Sequence, residues 1–220
     1  MATMNKNEAR FNMIEQQIRP WEVLDQTILD LFARLPREEF VPTSYCNLAF
    51  ADINIPLAHG ECMLQPKLDA RILQALNAKP HETALEIGTG SGYFTALLAS
   101  QTRHVYSVDI HADFIADARA KLNTHQIHNV TLEQGDAAQG WDRYRPYDVI
   151  ALTGSVPVLV DTLKNMLTIG GRLCAIVGES PVMQVRLITR LGNNEWRSEN
   201  LFETDVPALR NAPQPDRFVL

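Results

Sequence analysis

From residue 83 onward the apolar positions follow two alternating rhythms. Short apolar, β-branched runs at 83–87, 104–108, 130–134, 147–152 and 172–177 predict buried strands. Stretches of helical spacing at 93–100, 112–124 and 157–166 fall between them. Alternation of this kind predicts right-handed crossovers and a doubly wound, mostly parallel α/β sheet. Gly170-Gly171 is expected to turn the chain into the strand at 172–177. The rhythm then changes. Residues 182–191 and 195–202 are both strand-like and are separated by Gly192-Asn193-Asn194, which predicts a C-terminal antiparallel hairpin.

The first 80 residues read differently, as an N-terminal helical addition. Phe11, Ile14 and Ile18 stand at helical spacing until Pro20 ends or kinks the stretch. Val23, Leu24, Ile28, Leu31, Phe32 and Leu35 form a second stripe, closed by Pro36, and both stripes are expected to be packing faces. Between Phe40 and Pro66 there is no long period, and Pro42, Pro56, Gly60 and Pro66 predict loop with short extended pieces. A helix at 68–76 leads to Pro80. The expected division is a helical and loop subdomain over residues 1–80, covering the active site, and a ligand-binding domain over 81–220.

The chemistry is concentrated at the end of the first predicted strand, in Leu85-Glu86-Ile87-Gly88-Thr89-Gly90-Ser91-Gly92-Tyr93. Three glycines at alternate positions lead from strand into helix, so the backbone can approach a ligand and the helix N-terminus can offer it free N–H groups. The spacing is G-x-G-x-G, whereas the dinucleotide fingerprint is G-x-G-x-x-G. Glu86, two places before Gly88, suits a cationic ligand and would repel a pyrophosphate. Together the spacing and the acid resemble the first motif of class I S-adenosylmethionine-dependent methyltransferases. That resemblance implies a Rossmann-like methyltransferase sheet with S-adenosyl-L-methionine as cofactor.

Asp109 ends the strand at 104–108, roughly 20 residues past the glycines, where such folds place the carboxylate that holds ribose hydroxyls. Gly135-Asp136-Ala137 follows the strand at 130–134, and the resemblance implies that an acid here takes the adenine amino group. A surface turn is the plainer reading of Gly-Asp alone. The expected cofactor site comprises Glu86, Gly88, Thr89, Gly90, Ser91, Gly92, Asp109, Ile110, Gly135, Asp136, Ala137 and Thr153.

Composition narrows the field. A chain of 220 residues, 45% hydrophobic, can bury a full core in one domain or one domain with an addition. A net charge of −6 without a Lys/Arg run argues against nucleic acid as a partner. Cys46, Cys62 and Cys174 lack C-x-x-C spacing and the histidines look scattered in the sequence, so no metal is expected. Residues 1–8 carry no apolar leader run and nothing approaches spanning length, so a cytoplasmic chain without membrane contact is expected.

A closer likeness lies outside the cofactor motifs. Leu35-Pro36-Arg37-Glu38-Glu39-Phe40-Val41-Pro42 and Ala51-Asp52-Ile53-Asn54-Ile55-Pro56-Leu57-Ala58-His59-Gly60, with Gln65-Pro66, resemble protein-L-isoaspartate O-methyltransferases. So do the glycine loop, Gly135-Asp136, and Tyr147-Asp148-Val149-Ile150 with Thr153. The likeness runs from about Gln17 to about Gly178. It implies methylation of the α-carboxylate of an isoaspartyl residue in a protein or peptide, the first step of protein repair. A carboxylate is already ionised at neutral pH, so no general base is sought.

The chain departs from that pattern on the acceptor side. The family's Gly-x-Thr-x-Ser is here Gly60-Glu61-Cys62-Met63-Leu64, leaving a weak donor and none where two hydroxyls would stand. Cys62 also reads as ordinary core packing. Leu64, in the serine position, leaves no assigned catalytic residue. His59, Cys62, Leu64, Val206 and Pro207 are expected to face substrate, with Asp205 placing a negative charge close to the acceptor carboxylate. These departures leave two alternatives open: the same fold acting on a different small-molecule or protein acceptor, or a non-catalytic cofactor-binding module. A nicotinamide dehydrogenase is opposed by both the glycine spacing and Glu86.

Overall fold

The computed structural model describes residues 5–215, so the ends of the two expected subdomains lie outside the described residues. The N-terminal part holds helices α1 (Lys6–Met13), α2 (Gln26–Arg34) and α3 (Pro66–Leu76), with a two-stranded ribbon of β1 (Ile55–Pro56) and β2 (Cys62–Met63) between α2 and α3. Then follow β3 (Thr83–Ile87), α4 (Tyr93–Ala99), β4 (His104–Asp109), α5 (Ala112–Thr124), β5 (Val130–Gln134), β6 (Tyr147–Val156), α6 (Asp161–Asn165) and β7 (Leu167–Glu179). The antiparallel pair β8 (Val182–Gly192) and β9 (Glu195–Thr204) ends the sheet.

Seven strands lie in the order β5-β4-β3-β6-β7-β8-β9, parallel from β5 to β7 and antiparallel thereafter. The strand order therefore reverses direction between β3 and β6. Ala84, Val105, Val149 and Cys174 pack on one face of the sheet in the same apolar cluster as Ile18, Phe32, Leu68 and Leu73. Leu85, Ile87, Ile150, Leu152, Leu173 and Ala175 pack on the other, with Leu163 and Leu167. This period-2 division buries both faces of the central strands, as a parallel sheet requires. No helix among the described residues is long and apolar enough to cross a membrane.

Four expectations need correction. The helix expected at 157–166 is only Asp161–Asn165, because the chain bends at Pro157 and Val158 off the end of β6 and is extended at Val160, the residue before the helix. Gly170-Gly171 sits in an irregularity inside one long strand, where Tyr147 pairs with Leu167 but Val149 with Arg172, and does not form a separate turn. Phe11 is 62% exposed, and packing starts instead at Met13 and Ile14, ahead of a π-helical turn at Ile14–Ile18. Leu24 is 73% exposed because α2 begins only after its Asp25 cap, whose carboxylate accepts from the Thr27 N–H at 2.8 Å.

Candidate functional site

The reversal between β3 and β6 opens a crevice at the carboxyl ends of the strands, the usual ligand position in open α/β sheets. A cleft of about 570 Å³ lies there, bordered by Ile87 and Gly88 after β3, Asp109 and Ile110 after β4, Gly135 and Asp136 after β5, and Thr153 and Gly154 of β6.

The glycine loop is shaped by what surrounds it. Gly88 has φ +100°, and a Cβ there would collide with the Thr153 hydroxyl, which donates to the Gly88 carbonyl at 2.5 Å. Gly92 caps α4 at φ +81°, and a Cβ would stand 2.9 Å from that of Ala118 on α5. Asp109 holds the loop from the side. Its Oδ2 accepts the Gly90 N–H and its Oδ1 accepts the His111 N–H, both at 2.9 Å. One carboxylate thus fixes the glycine loop and the entry to α5 while bordering the cleft.

Glu86 lies elsewhere than expected. It is fully buried behind the loop and borders neither the cleft nor the adjoining cavity. Its Oε2 accepts from the Thr95 hydroxyl at 2.5 Å and the Ser107 hydroxyl at 2.6 Å, and Oε1 has no hydrogen-bond partner among the described residues. Burial, opposed by the two hydroxyl donors, pushes its carboxyl up to about 8. Ser107 also shares a 2.6 Å hydrogen bond with Thr89, so a chain of hydroxyls links Glu86 to the glycine loop.

A smaller inner cavity shares Cys62, Gly88, Gly90 and Thr153 with the cleft and reaches Leu64, Asp69, Thr89, Ser91 and Tyr93. Burial drives the Cys62 thiol up to about 12, with Glu61 and Asp69 adding to the effect, so it stays protonated. Asp69, whose carboxyl burial raises to about 7 against the opposing Arg37 charge, pairs with the fully buried Arg37 at 2.9 Å. Arg37 also donates to the carbonyls of Ala49 and Leu64. The Leu64 backbone is thereby fixed while its side chain closes the inner wall.

The tail closes the outer side. Ser155 and Leu209 exchange contacts along β6, with the Leu209 N–H donating to the Ser155 carbonyl at 2.8 Å and the Ser155 N–H to the Pro207 carbonyl at 3.0 Å. This brings Leu209 over Gly88 and Gly154, and Arg210 beside Glu61. Val206 and Pro207 border a different cavity, with Gly178, Ser180 and Met183. Asp205 turns to Ser180, whose hydroxyl donates to it at 2.9 Å, and is absent from the cleft wall. The negative charge expected beside the acceptor is therefore displaced: residues 205–208 border the second cavity, and the tail reaches the cleft only at Leu209 and Arg210.

Asp136 accepts from the Ala138 N–H at 3.1 Å and the Asn211 side-chain amide at 2.8 Å, so it too ties the tail to the site. Ala137 and Ala138 form an apolar floor. The histidines, scattered in the sequence, are not all scattered in space. His59 and His111 stack at 3.9 Å with planes 6° apart, and His59 Nε2 lies 2.8 Å from Asp113 Oδ2. Phe114 stands edge-on to both rings and lines the cleft. His111 and Phe114 were not singled out from the sequence; the signal for them was their place in the first turn after the strand that ends at Asp109. Leu209, Arg210 and the Arg37–Asp69 pair carried no local signal.

Comparison with known proteins agrees with this geometry. Residues 7–209 match the family model described as protein-L-isoaspartate(D-aspartate) O-methyltransferase. The chain is 37% identical over 194 residues to the protein-L-isoaspartate O-methyltransferase of Syntrophus aciditrophicus, covering 87% of this chain and 89% of that protein. It is 32% identical to the one of Gloeobacter violaceus, covering 92% and 99%. A solved protein-L-isoaspartate O-methyltransferase superposes with a TM-score of 0.77 at 25% identity, covering 90% of this chain and 65% of that one. A Plasmodium falciparum structure described as a complex with S-adenosyl-L-homocysteine shares the fold at a TM-score of 0.79 and 18% identity, over 94% and 99%. With the family model spanning nearly the whole chain, and with these relatives aligned along most of their length, the chain belongs to the protein-L-isoaspartate(D-aspartate) O-methyltransferase family.

Proposed function

We propose that the protein methylates the α-carboxylate of L-isoaspartyl residues in peptides or proteins, using S-adenosylmethionine. The observation that carries the reading is the Asp109 carboxylate at the strand-order reversal, gripping the glycine loop while facing the cleft. When bound, S-adenosylmethionine supplies a methyl group on a positively charged sulfur. The residues present fit it. Asp109 would offer acceptor lone pairs to ribose hydroxyls, Asp136 and Ala137 on the cleft wall would take the adenine edge, and Gly88 gives room that a Cβ would fill. Thr89, Gly90, Ser91 and Gly92 form the loop, Ile110 and Thr153 its two sides, and Glu86 steadies it from behind through Ser107.

The acceptor reacts as a carboxylate, so the protein's task is alignment and exclusion of water. Leu209, Phe114 and the wall at Leu64 supply apolar cover, and the tail is held down by backbone bonds to Ser155. His59 and Cys62 stand on the loop that an acceptor would meet. Three free thiols and the absence of a long apolar helix among the described residues fit a cytoplasmic setting.

Leu64 and Cys62 favour a second reading, transfer to a different carboxylate acceptor such as a small molecule. Labelled methyl transfer to an isoaspartyl peptide, beside a normal-aspartyl peptide and a cell extract, separates the two. Label confined to the isoaspartyl peptide supports the first reading, and label confined to the extract supports the second. Cofactor binding without label anywhere points to a binding module. Leu64→Ser should raise isoaspartyl turnover about ten- to a hundredfold if a missing hydroxyl limits it. Rapid turnover by the unchanged protein would refute that explanation.

A further inference from the structure

Arg210 is the one lysine or arginine among the described residues bordering the cleft. It stands between two anchors of the tail, the Leu209 bond to Ser155 and the Asn211 bond to Asp136. Its guanidinium is aimed by the loop opposite: Nε donates to Glu61 Oε1 at 2.8 Å and Nη2 donates to the His59 carbonyl. Nη1 has no hydrogen-bond partner among the described residues, and each terminal nitrogen carries two hydrogens. The Nη1 hydrogens and one hydrogen of Nη2 are therefore left to donate to a carboxylate. The side chain is 52% exposed.

The surroundings give this cation a task. Glu61, Asp109 and Asp136 border the same cleft, so without Arg210 an anionic acceptor would meet acidic walls. No side chain of the loop at 60–64 offers a good compensating donor, since that of Leu64 has none and the Cys62 thiol is weak and largely buried.

We propose that Arg210 binds the carboxylate of the methyl acceptor, taking over the recognition that loop hydroxyls would otherwise provide. This rests on the reading of the protein as a carboxylate methyltransferase. Glu61 then acts as an internal competitor, holding the guanidinium in place while masking part of its charge.

The test measures binding of an isoaspartyl peptide, with S-adenosylhomocysteine present, against a matched peptide whose acceptor carboxylate is a carboxamide. The unchanged protein should prefer the carboxylate about tenfold or more. Arg210→Gln should abolish that preference, Arg210→Lys should retain part of it, and S-adenosylhomocysteine affinity should stay within threefold. Glu61→Gln breaks the same ion pair yet unmasks the arginine, so it should tighten carboxylate binding. If Arg210 were only a strap between tail and loop, Arg210→Gln and Glu61→Gln would weaken the peptide alike, and that result overturns the proposal. A carboxylate preference surviving in Arg210→Gln overturns it too, with turnover by the unchanged protein intact. A protein that binds S-adenosylhomocysteine but neither binds nor methylates any isoaspartyl peptide refutes the underlying reading, and the proposal with it.

Discussion

Replacing Glu86 by glutamine should flatten part of the protein's stability–pH curve. The carboxyl is completely buried, and two hydroxyls donate to one of its oxygens. Burial raises it from 4.5 in the unfolded chain to about 8 in the fold. Between those values the folded state keeps a proton that the unfolded state has released, so stability falls as pH rises, by about 1.4 kcal/mol per pH unit. Below the unfolded value both states are protonated and the group contributes no slope. From pH 6 to pH 8 the loss from Glu86 is at most about 3 kcal/mol, with the slope fading as the folded value is approached. A glutamine keeps the carbonyl that Thr95 and Ser107 address and cannot ionise, so its curve lacks this descent. Asp69, raised to about 7, slopes in the same direction and remains in the variant as an internal control. Denaturant unfolding of both proteins at pH 6, 7 and 8 gives the comparison. The glutamine variant should gain on the unchanged protein steadily across the series. Two parallel curves would refute the reasoning, since they would mean that Glu86 ionises in the fold as freely as outside it.

Three further predictions follow from the site and its supports. Asp109→Ala should weaken S-adenosylhomocysteine binding about ten- to a hundredfold in calorimetry, as ribose acceptors and two loop anchors are lost together; unchanged affinity would sink the assignment. Arg37→Met should cost about 3–5 kcal/mol in denaturant unfolding by stranding the buried Asp69, and pairing it with Asp69→Leu should recover part of that loss; no recovery would mean that the bonds to Ala49 and Leu64 dominate. Gly92→Ala should lower stability by about 2 kcal/mol from its left-handed φ and the approach of Ala118, and a neutral result would show that α4 and α5 can move apart.

What was legible along the chain is what local rules control. The helix at Ala112–Thr124 and the strands at Thr83–Ile87 and Val130–Gln134 match their expected limits, because period and turn chemistry agree there. The strand-to-helix glycine loop and Asp109 were legible for the same reason, since both lie within one βαβ unit. Where two influences compete, the reading slipped. Val158, Leu159 and Val160 fit a helical stripe, yet the chain bends at Pro157 and Val158 and is still extended at Val160, so α6 shrinks to five residues. The irregular pairing of β6 with β7 depends on a partner strand some 20 residues away, which no local pattern discloses.

The site was legible in proportion to how locally it is built. Arg210 meets the His59 carbonyl across 151 positions, and His59 meets Asp113 across 54. Neither pairing has a period or a spacing to betray it. The tail was misplaced for a related reason. Its Val206-Pro207 suggested the acceptor contact, but the pairing of Ala208 with Ser155 sets which tail residues point inward, and those are Leu209 and Arg210.

The two acids of the cofactor motif show how environment decides what a matching letter means. Glu86 and Asp109 looked like equal partners for a cation and a ribose. Asp109 sits where its backbone donors keep it anchored and its outer face meets the cleft. Glu86 was moved behind the loop by β-strand alternation, since its neighbours Leu85 and Ile87 take the opposite face of the sheet. Desolvation there favours the neutral acid, which is poorly suited to attract a cation across space. Its reach to the ligand runs instead through Ser107 and Thr89, as geometry handed along hydroxyls. The motif's carboxylates thus separate into one that meets the ligand and one that shapes the loop meeting it, a division that the pH series on Glu86 and the binding series on Asp109 measure independently.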